Sequence, residues 1–211
     1  MEFLPEKLEE YVEAHTREED QLLQELNRET YLKVLMPRML SGHLQGQVLR
    51  MLSKMIQPEK ILEIGTFTGY SGICLAQGLT PTGVLHTIDI NQELRSMVTS
   101  YFEKAGLSEK IVYHTGNAIE IIPTMDMAFD LVFIDADKEN YSNYFDLVID
   151  KVRTGGYIIA DNVLWSGKVI EPNPDKDTKA IMDFNDKIQA DNRVENVLLP
   201  VRDGLLVMKK L

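Results

Sequence analysis

The first quarter of the chain repeats apolar positions at helical spacing. Residues 5–57 contain three such stretches, which the charged segment 17–20 and Pro37 interrupt. The first stretch places Leu8, Tyr11 and Val12 on one face, and a serine–glycine pair at 41–42 is a plausible cap for the third. This pattern predicts three helices that form a layer on the remainder of the protein.

Short apolar runs and amphipathic segments alternate through the rest of the chain. The predicted strands are 61–64, 84–90, 111–114, 129–134, 157–160, 194–199 and 205–208. The predicted helices between them are 70–77, 94–105, 138–149 and 177–190. This alternation predicts a mostly parallel sheet, but residues 200–204 are too short for a helical crossover, so the last two strands should form an antiparallel hairpin. The predicted fold class is therefore α/β: a Rossmann-like, doubly wound, seven-stranded sheet with N-terminal helices. We expect one domain, 1–211, with a helical layer at 1–57 and a cofactor-binding α/β core at 58–211.

A glycine turn follows the first predicted strand, in ILEIGTFTGYSGICLA at 61–76. In doubly wound folds a ligand lies against such a turn, at the carboxyl ends of the strands. The spacing is G-x-x-x-G, whereas dinucleotide-binding dehydrogenases carry G-x-G-x-x-G. Glu63 would repel a pyrophosphate but suits an amine or a sulfonium, which predicts S-adenosylmethionine as the cofactor. Asp89 ends the second strand, where an acidic residue can bind ribose hydroxyls, and Ser71 is expected to contact the cofactor or to start the helix.

Charge and cysteine content exclude several classes of protein. The net charge of −11 disfavours nucleic-acid and anionic-membrane binding, although it leaves room for a local basic patch. Cys74 is the only cysteine, so an intrachain disulfide is impossible. No run approaches the ~20 apolar residues that span a membrane, and residues 1–10 do not have the pattern of a signal peptide. We expect a soluble, cytoplasmic protein.

Polar side chains also end the later strands. Asp135 and Asp137 follow the fourth predicted strand, and Asp161 and Asn162 follow the fifth. Because parallel strands end at one edge, Asp135, Asp161 and Asn162 should converge as an all-oxygen set suited to Mg²⁺, with Mn²⁺ or Ca²⁺ as alternatives. Each acid taken alone has an ordinary alternative as a turn former or helix cap.

The four histidines are weak evidence for a metal or catalytic site. None of the four has close ligand spacing, and with one cysteine a structural zinc site is not expected. His86 and His114 fall inside predicted strands, where we expect them to be packed in the core.

Three segments, LEIGTFTGYSG, IDADKENYSNYF and IIADNVLWSG, together resemble the cation-dependent O-methyltransferases, the group of catechol and caffeoyl-CoA O-methyltransferases with their bacterial relatives. The resemblance implies that Asp135, Asp161 and Asn162 bind the metal. It implies that Lys138 is a general base, and that Asp135 serves catalysis as well as metal and cofactor binding. The implied contacts of S-adenosylmethionine are Met39, Ser41, Glu63, Gly65, Ser71, Asp89, Ala118, Asp135, Asp137 and Tyr144.

The expected reaction is methyl transfer from the sulfonium to a hydroxyl of a small phenolic or catechol-like molecule. Activation of the hydroxyl by the metal ranks first, and Lys138 as the base ranks second. Family members also methylate hydroxylated uridine in tRNA, which is the main alternative. A nicotinamide dehydrogenase and a non-catalytic binding module are further alternatives. Both are opposed by Asp135, Asp161 and Asn162, which we call the acidic set. The resemblance also implies a homodimer, with helices at 8–26 supplying or bracing the interface.

Overall fold

Seven strands form one mixed sheet. In this computed structural model, which describes residues 4–211, every strand except the last runs in the same direction. The strands are β1 Lys60–Ile64, β2 Val84–Asp89, β3 Ile111–Thr115, β4 Phe129–Ile134, β5 Val152–Asp161, β6 Val194–Leu199 and β7 Leu205–Lys210. Their order across the sheet is β3-β2-β1-β4-β5-β7-β6. The predicted fold class is confirmed, including the antiparallel hairpin of β6 and β7.

Helices cover both faces of this sheet. They are α1 Glu6–Ala14, α2 Gln21–Lys33, α3 Gly42–Ile56, α4 Tyr70–Ala76, α5 Arg95–Lys104, α6 Ala118–Ile121, α7 Tyr141–Ile149 and α8 Lys176–Ala190. Side chains alternate between the two faces, since successive strand residues point in opposite directions. In β1, Ile61 packs with the cluster that includes α2 to α5, whereas Leu62 packs with the cluster that includes α6 to α8. The short apolar runs of the sequence are therefore buried on both sides.

The first helix departs from the prediction. None of the residues of α1 is buried, and Leu8 and Tyr11 remain 46% and 59% exposed. On this face of the sheet α2 to α5 supply the core, so the predicted layer consists of α2 and α3 without α1. The prediction that residues 1–10 are not a signal peptide falls partly on residues 1–3, which lie outside the described part of the chain.

Several predicted boundaries were also wrong. Ser41 makes no capping hydrogen bond, because its backbone is already helical, with φ −56° and ψ −38°, whereas a capping residue is normally extended. Strand β5 begins at Val152, five residues early, because Val152 pairs with Phe129 before a register shift. The helix predicted from Lys138 starts as a 3₁₀ turn, Lys138–Asn140, and becomes α-helical at Tyr141.

The histidine prediction was wrong in a different way. His86 and His114 are only partly buried. They lie on adjacent strands, where His86 Nδ1 and His114 Nε2 are 3.0 Å apart in a hydrogen bond. Burial lowers the pKa of both imidazoles, and the proximity of His114 lowers the pKa of His86 further.

Elsewhere in the fold, residues 4–211 contain no helix with the length and apolar character needed to cross a bilayer.

Candidate active site

The strand order reverses beside β1, and the candidate site lies at this point. Strand β1 is flanked by β2 and β4, so the loops that leave β1 and β4 diverge to opposite faces. Gly65 has a φ of +101°, and a Cβ atom there would lie 1.8 Å from the carbonyl oxygen of Asp135. Only glycine allows the two loop backbones to approach this closely. The glycine turn and the first strand-end acid are therefore held in contact.

A narrow cleft lies above this contact, with a free volume of about 10 Å³. It is lined by residues of the glycine turn, by Asp135 and by the 3₁₀ turn Pro37–Met39 with its neighbours. Five of the predicted cofactor residues line it together, namely Met39, Ser41, Gly65, Ser71 and Asp135. The structure thus brings residues from the N-terminal helical layer to the same cleft as the glycine turn.

Glu63 lies beneath the glycine turn. Its side chain is 0% exposed and accepts hydrogen bonds from Ser71 Oγ and Thr87 Oγ1, each at 2.6 Å. Burial raises the pKa of this carboxyl group to about 7, although the two hydrogen bonds oppose the shift. In this structure Glu63 and Ser71 bind each other, and the glutamate supports the floor of the cleft without reaching its surface.

Asp89 is at the carboxyl end of β2, as predicted. Its carboxylate accepts the backbone N–H of Phe67 at 2.7 Å and that of Asn91 at 2.8 Å. The aspartate therefore fixes the glycine turn, whose residue Phe67 has a φ of +48°. Ala118 begins α6 beyond the neighbouring strand and is buried. Both positions lie at the carboxyl edge of the sheet, on the β2–β3 side of Gly65.

Asp137 and Tyr144 form a pair on the other side of the site. The hydroxyl of Tyr144 donates to Asp137 Oδ1 at 2.5 Å, and the side-chain amide of Asn140 donates to the other oxygen. Burial and the adjacent carboxylate raise the pKa of the Tyr144 hydroxyl, so it stays a donor. The two residues that the sequence assigned to the cofactor are thus in direct contact.

Lys138 lies at the centre of the acidic set. Its ammonium donates to Asn162 Oδ1 at 2.9 Å and to Asp135 Oδ1 at 3.2 Å. It also donates to the hydroxyl of Tyr141 at 2.5 Å, and that hydroxyl donates in turn to the carbonyl oxygen of Asp161 at 3.0 Å. Two predicted metal ligands therefore already bind one cationic group, although they are distant in sequence.

Asp161 completes the set as the last residue of β5. Its carboxylate is 2% exposed and accepts from two neutral donors, Gln45 Nε2 at 2.5 Å and the backbone N–H of Asn162 at 2.7 Å. Burial and the nearby carboxylate of Asp135 raise its pKa to about 7, while Lys138 opposes the shift. The charged form of Asp161 is therefore disfavoured unless more positive charge is brought to the site.

These residues fit a hard divalent cation. Oxygens of Asp135 and Asn162 share the Lys138 ammonium, the carboxylate of Asp161 lies near enough to Asp135 to be repelled by it, and a divalent ion between them would offset that repulsion. Asn162 has a φ of +57°, a left-handed conformation that asparagine tolerates better than most residues. Residues 4–211 contain no cluster of three His, Cys, Asp or Glu side chains placed for a metal, so the candidate set depends on the amide of Asn162.

Sequence reasoning missed two groups in the site. Gln45 hydrogen-bonds Asp161, and the hydroxyl of Tyr141 links Lys138 to the end of β5. Gln45 precedes the buried Leu49 by one helical turn and therefore lies on the apolar stripe of α3. A polar residue on that stripe was the signal in the sequence that could have identified Gln45. Tyr141 is a buried residue of α7, and the apolar pattern of that helix gave no signal for the contacts of its hydroxyl.

Known proteins resemble this chain in sequence and in fold. A family model described as O-methyltransferase matches residues 13–211. Caffeoyl-CoA O-methyltransferase 2 of Petunia hybrida is 37% identical over 181 residues, covering 79% of this chain and 74% of that protein. The O-methyltransferase TomG of Streptomyces achromogenes, solved with SAM, is 29% identical with a TM-score of 0.89, covering 97% of this chain and 96% of its own. An O-methyltransferase from Bacillus cereus, solved with SAH, is 30% identical with a TM-score of 0.89, covering 97% of both chains.

Proposed function

This chain belongs to the O-methyltransferase family, and we propose that it transfers the methyl group of S-adenosylmethionine to a hydroxyl of a catechol-like small molecule with the help of a divalent cation. The observation that carries this proposal is the convergence of Asp135, Asn162 and Lys138 beside the cleft at the glycine turn. A cofactor in the cleft and an acceptor at the acidic set would be neighbours, because Asp135 belongs to both.

Cofactor binding is supported by relatives and by the chemistry of the cleft. The Streptomyces and Bacillus proteins, solved with SAM and SAH, cover nearly the whole of this fold. Asp89 has the acceptor oxygens that ribose hydroxyls require, at the position where this fold binds a ribose. Asp137 is an exposed carboxylate held by Tyr144, and we assign it to the cofactor as well.

Replacing Asp89 with alanine should weaken the binding of S-adenosylhomocysteine by about 10- to 100-fold, the range expected when charge-assisted hydrogen bonds are lost. Calorimetric titration measures the change. Asp130→Ala is the matched control, because Asp130 also accepts two backbone N–H groups, from Glu59 and Lys60, but at the opposite end of the strands. The control should leave the affinity unchanged. Equal affinity in Asp89→Ala and in the natural protein would remove Asp89 from the cofactor site.

The residues of the acidic set have separate tasks in the proposed reaction. Asp135, Asp161 and Asn162 would hold the cation, which when bound favours the ionised form of an acceptor hydroxyl and aligns its neighbour. Lys138 contacts two members of the set, so as an ammonium it is placed to hold the oxyanion, and as a neutral amine, after it has lost a proton to solvent, it is placed to accept the proton of the acceptor hydroxyl. Tyr141 keeps the lysine in place through its short hydrogen bond. The centre of the Trp165 ring lies 5.6 Å from the ammonium nitrogen of Lys138.

The acceptor class rests on the vicinal oxygens that a hard cation prefers and on the similarity to caffeoyl-CoA O-methyltransferases. The net charge of −11 and the carboxylates of Asp135 and Asp161 oppose tRNA as the acceptor. The test is a methyl-transfer screen over catechol, a caffeoyl thioester, a monophenol and hydroxylated tRNA. We expect transfer to the vicinal diols and little to the monophenol. Transfer to tRNA alone would contradict the assignment.

We also propose a homodimer. Within the predicted range 8–26, Leu23 and Leu26 of α2 are buried inside the chain, whereas Leu8 and Tyr11 of α1 are exposed, so we assign the contact to α1. Light scattering should give twice the mass of the chain, and Leu8→Asp with Tyr11→Asp should shift it toward the monomer. Val197→Asp, on the exposed side of β6, should not. A monomer at every concentration of the natural protein would end this proposal.

A further inference from the structure

We infer that Gln45 is a positioning residue, which orients the carboxylate of Asp161 for the cation, and that Arg202 in the turn 200–204 fixes the orientation of Gln45. This inference rests on the proposed function, because it assigns a role toward the proposed metal. It concerns two residues that come from opposite ends of the chain and that meet only in the folded protein.

Gln45 is buried against the acidic centre. The side chain is 1% exposed, and its Nε2 donates to Asp161 Oδ2 at 2.5 Å. The other oxygen, Oδ1, accepts the backbone N–H of Asn162 at 2.7 Å. Each carboxylate oxygen has room for about two contacts, so one direction on each oxygen stays available. The carboxylate is therefore fixed in rotation by two neutral donors while it keeps capacity for a cation.

Arg202 determines which way the amide of Gln45 points. Its Nη1 lies 3.4 Å from Gln45 Oε1 and 3.3 Å from the carbonyl oxygen of Leu40. A guanidinium group has only donors, so it selects the orientation in which the amide oxygen faces Arg202 and the NH₂ group faces Asp161. In the flipped orientation an amide oxygen would face the carboxylate, and the two would repel.

The turn that carries Arg202 also holds the segment that follows Asn162. The backbone N–H of Leu164 donates to the carbonyl oxygen of Asp203 at 2.9 Å, and the N–H of Ser166 donates to Asp203 Oδ1 at 2.5 Å. Gly204 has a φ of +87°, and a Cβ atom there would lie 2.6 Å from Leu164 Cγ. The same turn thus holds both the support of Asp161 and the loop beyond Asn162.

Residues that orient metal ligands typically change metal affinity by about 10- to 100-fold when they are mutated. We therefore expect Gln45→Leu to raise the dissociation constant for Mn²⁺ by about 10-fold or more. The measurement is titration of the protein with Mn²⁺, with free Mn²⁺ followed by electron paramagnetic resonance, so no turnover is needed. Ser53→Ala is the matched control, since Ser53 is a buried residue on the same helix whose hydroxyl donates to the carbonyl oxygen of Leu75 at 2.6 Å. The control should melt at a lower temperature but bind Mn²⁺ as the natural protein does.

Arg202→Met provides a second variant that does not disturb the core, because Arg202 is an exposed residue of the turn. It should weaken Mn²⁺ binding less than Gln45→Leu does. The double variant should bind Mn²⁺ no more weakly than Gln45→Leu alone, because Arg202 acts through Gln45. If Gln45→Leu does not fold, unchanged Mn²⁺ affinity in Arg202→Met alone would overturn the role assigned to Arg202, and Gln45→Met would test Gln45.

The outcomes separate this inference from the function on which it rests. Mn²⁺ binding by the natural protein with unchanged affinity in Gln45→Leu would overturn the positioning role and leave the metal site in place. Additive losses in the double variant would overturn the link between Arg202 and Gln45. Absence of Mn²⁺ binding by the natural protein would instead contradict the proposed metal site itself.

Discussion

Asp161→Asn should lower the rate of methyl transfer by about 100-fold or more at a fixed, limiting Mg²⁺ concentration, because it removes one ligand charge from the metal site. The carboxylate of Asp161 is buried beside Asp135, so in the absence of a cation the substitution relieves repulsion. Asparagine keeps only one acceptor oxygen for the two donors, Gln45 Nε2 and the backbone N–H of Asn162, so the lost hydrogen bond offsets this relief and the melting temperature of the variant without metal should change little. Its affinity for S-adenosylhomocysteine should change by less than about twofold, because Asp161 does not line the cofactor cleft.

The combination of lower activity with unimpaired stability distinguishes a functional acid from a structural one. Asp130→Asn is the control, since Asp130 ties the amino ends of the strands together through Glu59, Lys60 and Arg153. It should lose stability and keep its activity per folded molecule. If Asp161→Asn instead retains its rate and its dependence on Mg²⁺, Asp161 does not bind the cation.

Lys138→Met should lower the rate at neutral pH by about 10²- to 10⁴-fold, the usual contribution of a general base, and the loss should shrink as the pH rises. At alkaline pH a phenolic hydroxyl ionises without help, so the lysine becomes less necessary. Methionine keeps an unbranched apolar stem against Tyr141 and Trp165, while it removes the ammonium. The measurement is the rate of methyl transfer from pH 6.5 to 10.

The pH profile also separates the two roles left open for this lysine. A loss of constant size at every pH would show that Lys138 positions the acceptor and does not take its proton. Lys187→Met is the matched control, because Lys187 pairs with Asp146 on α7, away from the acidic centre. Its profile should match that of the natural protein.

The parallel sheet and its edge could be predicted from the sequence because both depend on local pattern. Buried parallel strands appear as short apolar runs, and their carboxyl ends share one edge, so the sequence alone places Asp89, Asp135 and Asp161 at the same edge of the sheet. The close approach of Gly65 to Asp135 was not predicted, because a glycine turn does not tell which backbone lies against it.

What the sequence did not predict depends on contacts between distant parts of the chain. Gln45 and Asp161 are 116 positions apart, and Arg202 and Gln45 are 157 apart. Helical periodicity gives the face of a side chain but not its partner across the sheet. The prediction that α1 packs on the core was wrong for the same reason. An amphipathic pattern does not tell whether the surface that the helix would cover is already covered by α2 to α5.

The most direct test of the proposed chemistry is transfer of a labelled methyl group from S-adenosylmethionine to the best vicinal-diol acceptor, measured before and after removal of metal. After exhaustive chelation and dialysis, we expect no product above the reaction without enzyme. S-adenosylhomocysteine should still bind, and the circular dichroism spectrum should be unchanged, since the apolar core does not depend on the acidic set. Added Mg²⁺ should then restore the full rate. Full transfer by the chelated protein would contradict a catalytic metal at Asp135, Asp161 and Asn162.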